Sequence, residues 1–356
     1  MSWLIEYSKS AERTDQLIDK PDHTLLIAAG LFGETGSLLA ELKKKQRETD
    51  AYPAYRNRLV EEIGDCLWYL VRLSAVLDPS ALKRADKRTQ AQAGQSHELL
   101  ADGVALGVAA GKLLSAQESR AGTDPREGLE PTWDALFRVA GGAGLDLHEA
   151  AQTNLRKTRS RWPKKRDLSP LFDEDFPEEE QLPRELDVEF RRVERGNTSA
   201  VILRCNGLNF GDRLTDNIEQ PDSYRFHDIF HFAYAVYLGW SPVMRALLKC
   251  KRKSDLEVDE NQDGARARII EEAVSAIVFS RAKEMNFYDG VDHVDYDLLK
   301  TIHEFTQGFE VANVPLWQWE TAILEGYGVF RTLRARGGGH VTLDMSQRQL
   351  RYREIT

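Results

Sequence analysis

The sequence has few cysteines, no long uninterrupted apolar run and no excess of positive charge. Its three cysteines, Cys66, Cys205 and Cys250, lie far apart and form no CxxC pair. A sparse, odd set of this kind predicts neither a disulfide framework nor a zinc site, and it favours a reducing compartment. We therefore expect a cytoplasmic protein.

The apolar runs and the charge balance argue against two classes of partner. The longest apolar runs, Leu25–Gly33 and Val104–Gly111, are shorter than the roughly 18 residues of a bilayer-spanning helix. The N-terminus also lacks the charged-then-apolar order of a signal peptide. The 57 Asp and Glu residues outnumber the 48 Lys and Arg residues and give a net charge of -9. This acidity argues against a protein that coats nucleic acid by bulk charge, and the short runs argue against a membrane partner.

The chain of 356 residues, with 42% hydrophobic and 29% charged residues, is long enough for two globular domains. Residues 1–166 have helical periodicity. Residues 167–187 contain nine acidic residues, one basic residue and three prolines, which predicts an acidic linker over 167–184. Over 185–356, β-type runs alternate with helical segments. The predicted fold class is therefore mainly α: a helical bundle, followed by a mostly helical α+β domain with short strands.

Individual elements follow from periodicity and from turn residues. A loop or short insert is predicted over residues 80–96, and Asp146 is predicted to cap the last helix of the first domain. The pair Gly196-Asn197 indicates a hairpin between strands at 186–193 and 200–205. Two short strands are predicted at 340–344 and 349–353. The predicted helices cover residues 25–45, 58–77, 97–118, 131–140, 148–160, 226–239, 242–252, 264–286, 294–309 and 316–335.

Two acidic clusters on successive predicted helices are the strongest chemical signal. Glu34, Ser37 and Glu41 fall on one helix face. On the next helix Glu62 and Asp65 are i,i+3 neighbours, so both carboxylates can reach one point. Carboxylates held close together in a partly buried place attract a divalent cation, and oxygen-only ligands suit Mg²⁺ or Mn²⁺. The alternative is that these are solvated charges paired with nearby Lys and Arg residues.

Three segments of the first domain resemble a known family. Residues 31–38, Leu-Phe-Gly-Glu-Thr-Gly-Ser-Leu, resemble the Glu-rich EExxE motif, and residues 62–65, Glu-Ile-Gly-Asp, match the ExxD motif. Residues 154–163 resemble the Asn…Lys…Arg…Pro segment that closes the domain. Over about residues 5–165 the chain is thus similar to the MazG-like all-α nucleoside triphosphate pyrophosphohydrolases, including their dCTPase and dimeric dUTPase relatives. Gly33 and Ser37 stand where that pattern has its first and last Glu.

The resemblance implies a Mg²⁺-dependent reaction, with Mn²⁺ also possible, that converts NTP or dNTP and water into NMP or dNMP and pyrophosphate. It implies that Glu34, Glu62 and Asp65 hold the metal. One carboxylate, Glu34 or Glu41, would orient the attacking water.

The same resemblance implies that Lys157, Asn154 and Arg161 contact the substrate, in a homodimer or higher homo-oligomer. A solvated helix end is the other interpretation of the basic stretch around Lys157. Ser37, in place of a metal-ligand Glu, supports a different class of function: a catalytically weakened nucleotide-binding module with a regulatory or defence role.

The second domain contains a separate candidate cluster. His227 and His231 have i,i+4 spacing that can place two imidazoles on one metal, and Glu271 and Glu272 form an acidic pair on another predicted helix. The surrounding aromatic residues favour the alternative, in which both histidines are packed in a core and hydrogen-bonded to Glu or to backbone. This segment resembles the C-terminal domain attached to some MazG-like proteins.

Overall fold

A computed structural model of the chain describes residues 2–89, 98–118, 124, 126–196 and 198–354. The chain divides into two compact units, Met1–Lys165 (unit 1) and Arg166–Thr356 (unit 2). The described part is mainly α-helical, with one small antiparallel sheet in unit 2, so the predicted fold class is confirmed.

Unit 1 consists of helices in its described residues. Their bounds are α1 Trp3–Glu12, α2 His23–Glu48, α3 Tyr55–Leu77, α4 Pro79–Thr89, α5 Leu99–Glu118, α6 Leu129–Gly142 and α7 Leu147–Arg161. The side chain of Asp146 accepts a hydrogen bond from the backbone N–H of His148 at 2.9 Å and caps α7 as predicted. The loop predicted over residues 80–96 is wrong up to Thr89, because α4 buries Ala81, Leu82 and Ala85. Residues 90–97 lie outside the described part.

A stripe of glycines lets α5 pack closely against α2. A Cβ atom at Gly103 would lie 2.9 Å from Leu42 Cδ1, and one at Gly107 would lie 3.6 Å from Leu39 Cδ1. The apolar side chains of α2 therefore fit directly over the α5 backbone. Leu38 and Leu42 of α2 complete this contact in the core of unit 1.

Two helical stretches of unit 1, His23–Ala51 and Leu99–Glu118, are long and apolar enough to cross a membrane by length and composition alone. The sequence predicted no membrane-spanning helix, because no uninterrupted apolar run is long enough. These two stretches are longer than those runs because they include single glycines and polar residues. A third of each apolar window is buried in the structure. Core helices of soluble proteins have the same length and composition.

Unit 2 is built on a five-stranded antiparallel sheet. The strand bounds are β1 Glu185–Arg195, β2 Thr198–Cys205, β3 Leu208–Leu214, β4 Gly339–Asp344 and β5 Gln349–Arg353. The order of the strands in the sheet is β3-β2-β1-β4-β5. Buried residues alternate along its inner strands, for example Val188 and Phe190 in β1 and Val341 and Leu343 in β4. This period of two places one sheet face on the core. The third strand was not predicted from the sequence, and Asn197 of the predicted turn lies outside the described residues.

Helices pack aromatic side chains into the core of unit 2. Their bounds are α8 Asp228–Ala233, α9 Pro242–Leu248, α10 Leu256–Asn261, α11 Ala265–Glu284, α12 Tyr296–Phe305 and α13 Leu316–Arg336. Residues 234–238 continue α8 as a π-helix. The ring of Phe230 in α8 stacks on Tyr327 in α13, with 4.5 Å between ring centroids. The short helix α10 was not predicted.

The acidic segment at 167–184 belongs to unit 2, which differs from the expectation of a linker between domains. Asp173 is fully buried there. Its carboxylate accepts hydrogen bonds from the Leu182 N–H at 2.8 Å and from Arg245 Nη2 at 2.7 Å, and Arg184 lies 2.8 Å away. Burial opposes ionisation of Asp173, but these partners lower the pKa of its carboxyl group overall.

Candidate functional site

Three predicted carboxylates meet between α2 and α3 in unit 1. One oxygen of Glu34, one of Glu62 and one of Asp65 lie within 4.8 Å of one another, and all three side chains are partly buried. Glu62 and Asp65 occupy one side of α3 because they are three residues apart. The α2–α3 packing brings Glu34 to the same point.

A close approach of α7 to α3 adds Asn154 and Lys157 to this group. A Cβ atom at Gly64 would lie 2.7 Å from the carbonyl oxygen of Ala150 and 3.2 Å from Asn154 Cβ. Glycine at this position therefore lets the α7 backbone lie directly on α3. Asn154 and Lys157 then face Asp65, which follows Gly64 in the chain.

Hydrogen bonds join α1, α7 and α3 at this point. Tyr7 Oη donates to Asn154 Oδ1 at 2.9 Å, and Asn154 Nδ2 donates to Asp65 Oδ1 at 2.8 Å. Lys157 Nζ donates to the other oxygen of Asp65 and lies 3.6 Å from Glu61 Oε1. Asp65 is thus oriented through both of its oxygens.

The negative charge of this site contributes to the pKa shifts of two neighbouring groups. Burial is the largest cause that raises the pKa of the Cys66 thiol well above its usual value, and the charges of Glu34, Asp65 and Glu62 raise it further. Burial and then Glu34 and Asp65 raise the pKa of Tyr69 to about 12. Carboxylates disfavour a second negative charge nearby, so their field attracts cations.

The two central members of the site have shifted pKa values of their own. Burial raises the pKa of Asp65, although Lys157 and Asn154 favour its ionised form. Burial alone would lower the pKa of Lys157, but Asp65, Glu61 and Glu34 raise it overall. Lys157 therefore stays positively charged at neutral pH and offsets part of the carboxylate charge.

Gly30 lets an aromatic ring lie directly on α2. A Cβ atom at this position would lie 2.3 Å from Cε1 of Tyr69. The Tyr69 ring therefore lies on the α2 backbone, one helical turn before Glu34. Trp68 beside it is 8% exposed and donates to Thr14 Oγ1 at 3.3 Å, so it packs in the core.

Three other predicted residues have surroundings of their own. Glu41 is not one of the three carboxylates that converge, and its carboxylate accepts a hydrogen bond from Tyr52 Oη. Ser37 is exposed on α2. Arg161 is at the end of α7, and its guanidinium lies over the Trp162 ring at 4.8 Å.

The predicted cluster of unit 2 is deeply buried. His231 is fully buried, and its Nδ1 lies 2.8 Å from Glu271 Oε1. His227 is 9% exposed, and its Nδ1 lies 2.9 Å from the carbonyl oxygen of Tyr224. Bonds to Glu and to backbone are those expected for core histidines. Glu272, by contrast, has a side chain that is 48% exposed.

The sequence interpretation missed three residues of these two groups. Asp228 offers a ligand atom within 4.8 Å of those of His227 and His231, and its position beside His227 was an available signal. Glu61 beside Glu62 was also visible in the sequence. Tyr7 gave no signal, because 147 residues separate it from Asn154.

Comparison with known proteins identifies the second half of the chain. Residues 167–356, more than half of the sequence, match the MazG C-terminal domain. This confirms the resemblance of the second domain to that of MazG-like proteins. No curated protein and no solved structure matches the chain. The chain therefore belongs to the family defined by the MazG C-terminal domain.

Proposed function

We propose that the chain is a Mg²⁺-dependent nucleoside triphosphate pyrophosphohydrolase. It would convert NTP or dNTP and water into NMP or dNMP and pyrophosphate. The observation that supports this most is the convergence of Glu34, Glu62 and Asp65, with Asn154 and Lys157 against Asp65. Membership of a MazG family, together with the motifs of unit 1, supports the same reaction class.

The donor set of this site fits a hard divalent cation. All three candidate ligands are carboxylates, which Mg²⁺ and Mn²⁺ prefer over softer donors. The site carboxylates add to the burial that raises the pKa values of Cys66 and Tyr69, and such an ion would offset their negative charge. When bound, the ion would neutralise phosphate charge and lower the pKa of a bound water.

The residues of the chain would divide the remaining tasks by position. We assign the orientation of the attacking water to Glu34, because the carboxylate of Glu41 is engaged by Tyr52. Lys157 is placed to contact substrate phosphates close to the ion, since its ammonium group already lies among the site carboxylates. Asn154, held by Tyr7, would keep Asp65 in position.

We also propose that the chain forms a homodimer in the cytoplasm. On α5, Leu100, Val104 and Val108 are four residues apart and form one apolar stripe. Val104 and Val108 are 50% and 56% exposed. A second copy covering this stripe would remove it from water. The free cysteines Cys66, Cys205 and Cys250 agree with a reducing compartment.

The test of the activity is pyrophosphate release from a panel of NTPs and dNTPs with Mg²⁺ or Mn²⁺. Glu62→Gln removes a ligand charge while keeping the side-chain shape, so turnover should fall by more than about 100-fold. The matched control is Glu149→Gln, because Glu149 is on the surface of α7 and pairs with Arg56 at 3.0 Å. The control should keep wild-type turnover.

Two results would contradict this proposal. Wild-type turnover in a folded Glu62→Gln chain would show that the carboxylate group is not the catalytic site. Nucleotide binding without pyrophosphate release in the wild-type chain would favour the nucleotide-binding regulatory or defence module instead.

A further inference from the structure

The two buried histidines of unit 2 use the same ring nitrogen for their hydrogen bonds. His227 Nδ1 faces the carbonyl oxygen of Tyr224 at 2.9 Å, and a carbonyl can only accept, so Nδ1 carries the proton. His231 Nδ1 faces the Glu271 carboxylate at 2.8 Å in the same way. In the neutral rings this leaves the lone pair on Nε2 in both histidines. Burial lowers the pKa of His231, but Glu271 and Glu272 raise it overall, so an ion bound at its Nε2 would displace a proton.

The two Nε2 atoms lie among carboxylates. His227 Nε2 is 3.4 Å from Asp228 Oδ1, and His231 Nε2 is 3.5 Å from Glu272 Oε1. His231 Nε2 is fully buried, and among the described residues its contact with Glu272 is too long for a well-formed hydrogen bond. A ligand that binds Nε2 more closely would satisfy this buried atom better.

Candidate ligand atoms of His227, Asp228 and His231 lie within 4.8 Å of one another. Two ligands bonded to one ion at about 2.1 Å lie at most about 4.2 Å apart. Movements of less than about 1 Å would therefore complete coordination. Two imidazole nitrogens with carboxylate oxygens suit Zn²⁺, Mn²⁺ or Fe²⁺ rather than the oxygen-preferring Ca²⁺ or Mg²⁺.

A supporting shell fixes the His231 ring. Glu271 accepts hydrogen bonds from Ser241 Oγ at 2.6 Å and from the Val243 N–H at 2.8 Å, besides its contact with His231. A carboxylate that holds the distal nitrogen of a metal-binding histidine is a common feature of metal sites. The Tyr224 ring stacks on His227 with 4.3 Å between centroids and 2° between planes, which fixes the second ring.

A basic cleft adjoins this group. Two neighbouring cavities of about 640 and 220 Å³ share Lys249 and Arg268 in their walls. Lys253 lines the smaller cavity and Glu272 lines the larger one. Glu272 thus touches His231 on one side and the cleft on the other. Converging Lys and Arg side chains in a concave site suit a phosphate group.

We propose that unit 2 binds a transition-metal ion through His227, His231 and Asp228, with Glu272 as a further ligand at the cleft, and that the cleft takes a phosphate-bearing ligand. This site is separate from the carboxylate group of unit 1. It makes the second domain a ligand-binding centre in its own right.

The metal is tested by Zn²⁺ and Mn²⁺ titration of the full chain after chelation, with metal content measured by mass spectrometry. His227→Asn and His231→Asn are suitable variants, because the Asn amide can replace the Nδ1–H donor but supplies no equivalent of Nε2. Each should lose the ion while circular dichroism shows a folded chain. Glu271→Gln should weaken binding by about 10- to 100-fold through the ring orientation.

Two controls separate this site from unit 1 and from adventitious binding. Glu62→Gln disables the carboxylate group of unit 1 and should keep the unit 2 ion. His293→Asn removes an imidazole that is 68% exposed and should have no effect. Unchanged binding in folded His227→Asn and His231→Asn chains, or no bound ion in the Glu62→Gln chain, would overturn the proposal.

The phosphate ligand is tested with inorganic phosphate on the Mn²⁺-loaded Glu62→Gln chain, by ³¹P relaxation. Arg268→Gln should weaken phosphate binding by about 10-fold, since it removes a charge-assisted hydrogen bond. Arg266→Gln is the matched control, because Arg266 is on the same helix and lines neither cavity. Equal effects of the two substitutions, or no relaxation of phosphate, would refute the ligand assignment.

Discussion

The contact between α3 and α7 at Gly64 predicts that one added methyl group will disturb the carboxylate site. In Gly64→Ala the new Cβ would lie 2.7 Å from a backbone oxygen of Ala150. Overpacking costs about 1–3 kcal/mol, and backbone cannot yield as a flexible side chain can, so the upper end applies. Alanine regains about 1 kcal/mol of helix propensity. The net loss of stability is about 2 kcal/mol.

The assay is hydrogen exchange with mass spectrometry on the full chain, which reports on α3 and α7 separately from unit 2. A stability loss of about 2 kcal/mol makes amide hydrogen exchange through opening of these helices about 30-fold faster. The matched control is Gly36→Ala on α2, where a Cβ atom meets nothing within 4 Å. That variant should gain about 1 kcal/mol and exchange more slowly.

Gly64→Ala should also lower turnover, because displacement of α7 moves Asn154 and Lys157 away from Asp65. If the Gly64→Ala substitution slows hydrogen exchange in α7, as the Gly36→Ala substitution should slow it in α2, then the close helix contact is absent and the reasoning fails. Normal turnover in a destabilised Gly64→Ala chain would show that α7 does not serve the site.

Three further predictions concern the metal, the acid stability and the assembly. Ser37→Glu should lower the Mg²⁺ concentration that turnover requires if a missing ligand weakens the site. An unchanged metal titration would refute that reason. The pKa of Asp173 is lowered in the folded chain, so its contribution to stability is present above about pH 4 and is lost as the pH falls through the native pKa. Asp173→Asn should therefore lose less stability than wild type between about pH 5 and pH 2 in urea denaturation, and equal losses would contradict the assignment. Val104→Lys should convert the proposed dimer into monomers in light scattering, whereas an unchanged mass would place the interface elsewhere.

Most helices could be predicted because their signals are local. The apolar spacing along α3 and the capping residue Asp146 depend only on neighbours in sequence. The helix α4 could not be predicted so easily, because its sequence is polar and only three of its residues are buried. The strand β3 has a mostly exposed pattern without clear alternation, so its pairing with β2 determines its structure.

The sequence by itself determined which groups share a helix face. Glu62 and Asp65 are three residues apart, and His227 and His231 are four apart, so helix geometry alone places each pair together. Composition and motif spacing likewise indicated the fold class and the resemblance to MazG-like proteins.

Only the tertiary structure decided which faces meet. Asn154 reaches Asp65 across 89 residues because Gly64 lets α7 lie on α3. Glu41 shares a helix face with Glu34, yet Tyr52 binds its carboxylate outside the carboxylate group. The physical reason is that periodicity fixes the direction of a side chain along its own helix, whereas its partner depends on packing between segments distant in sequence.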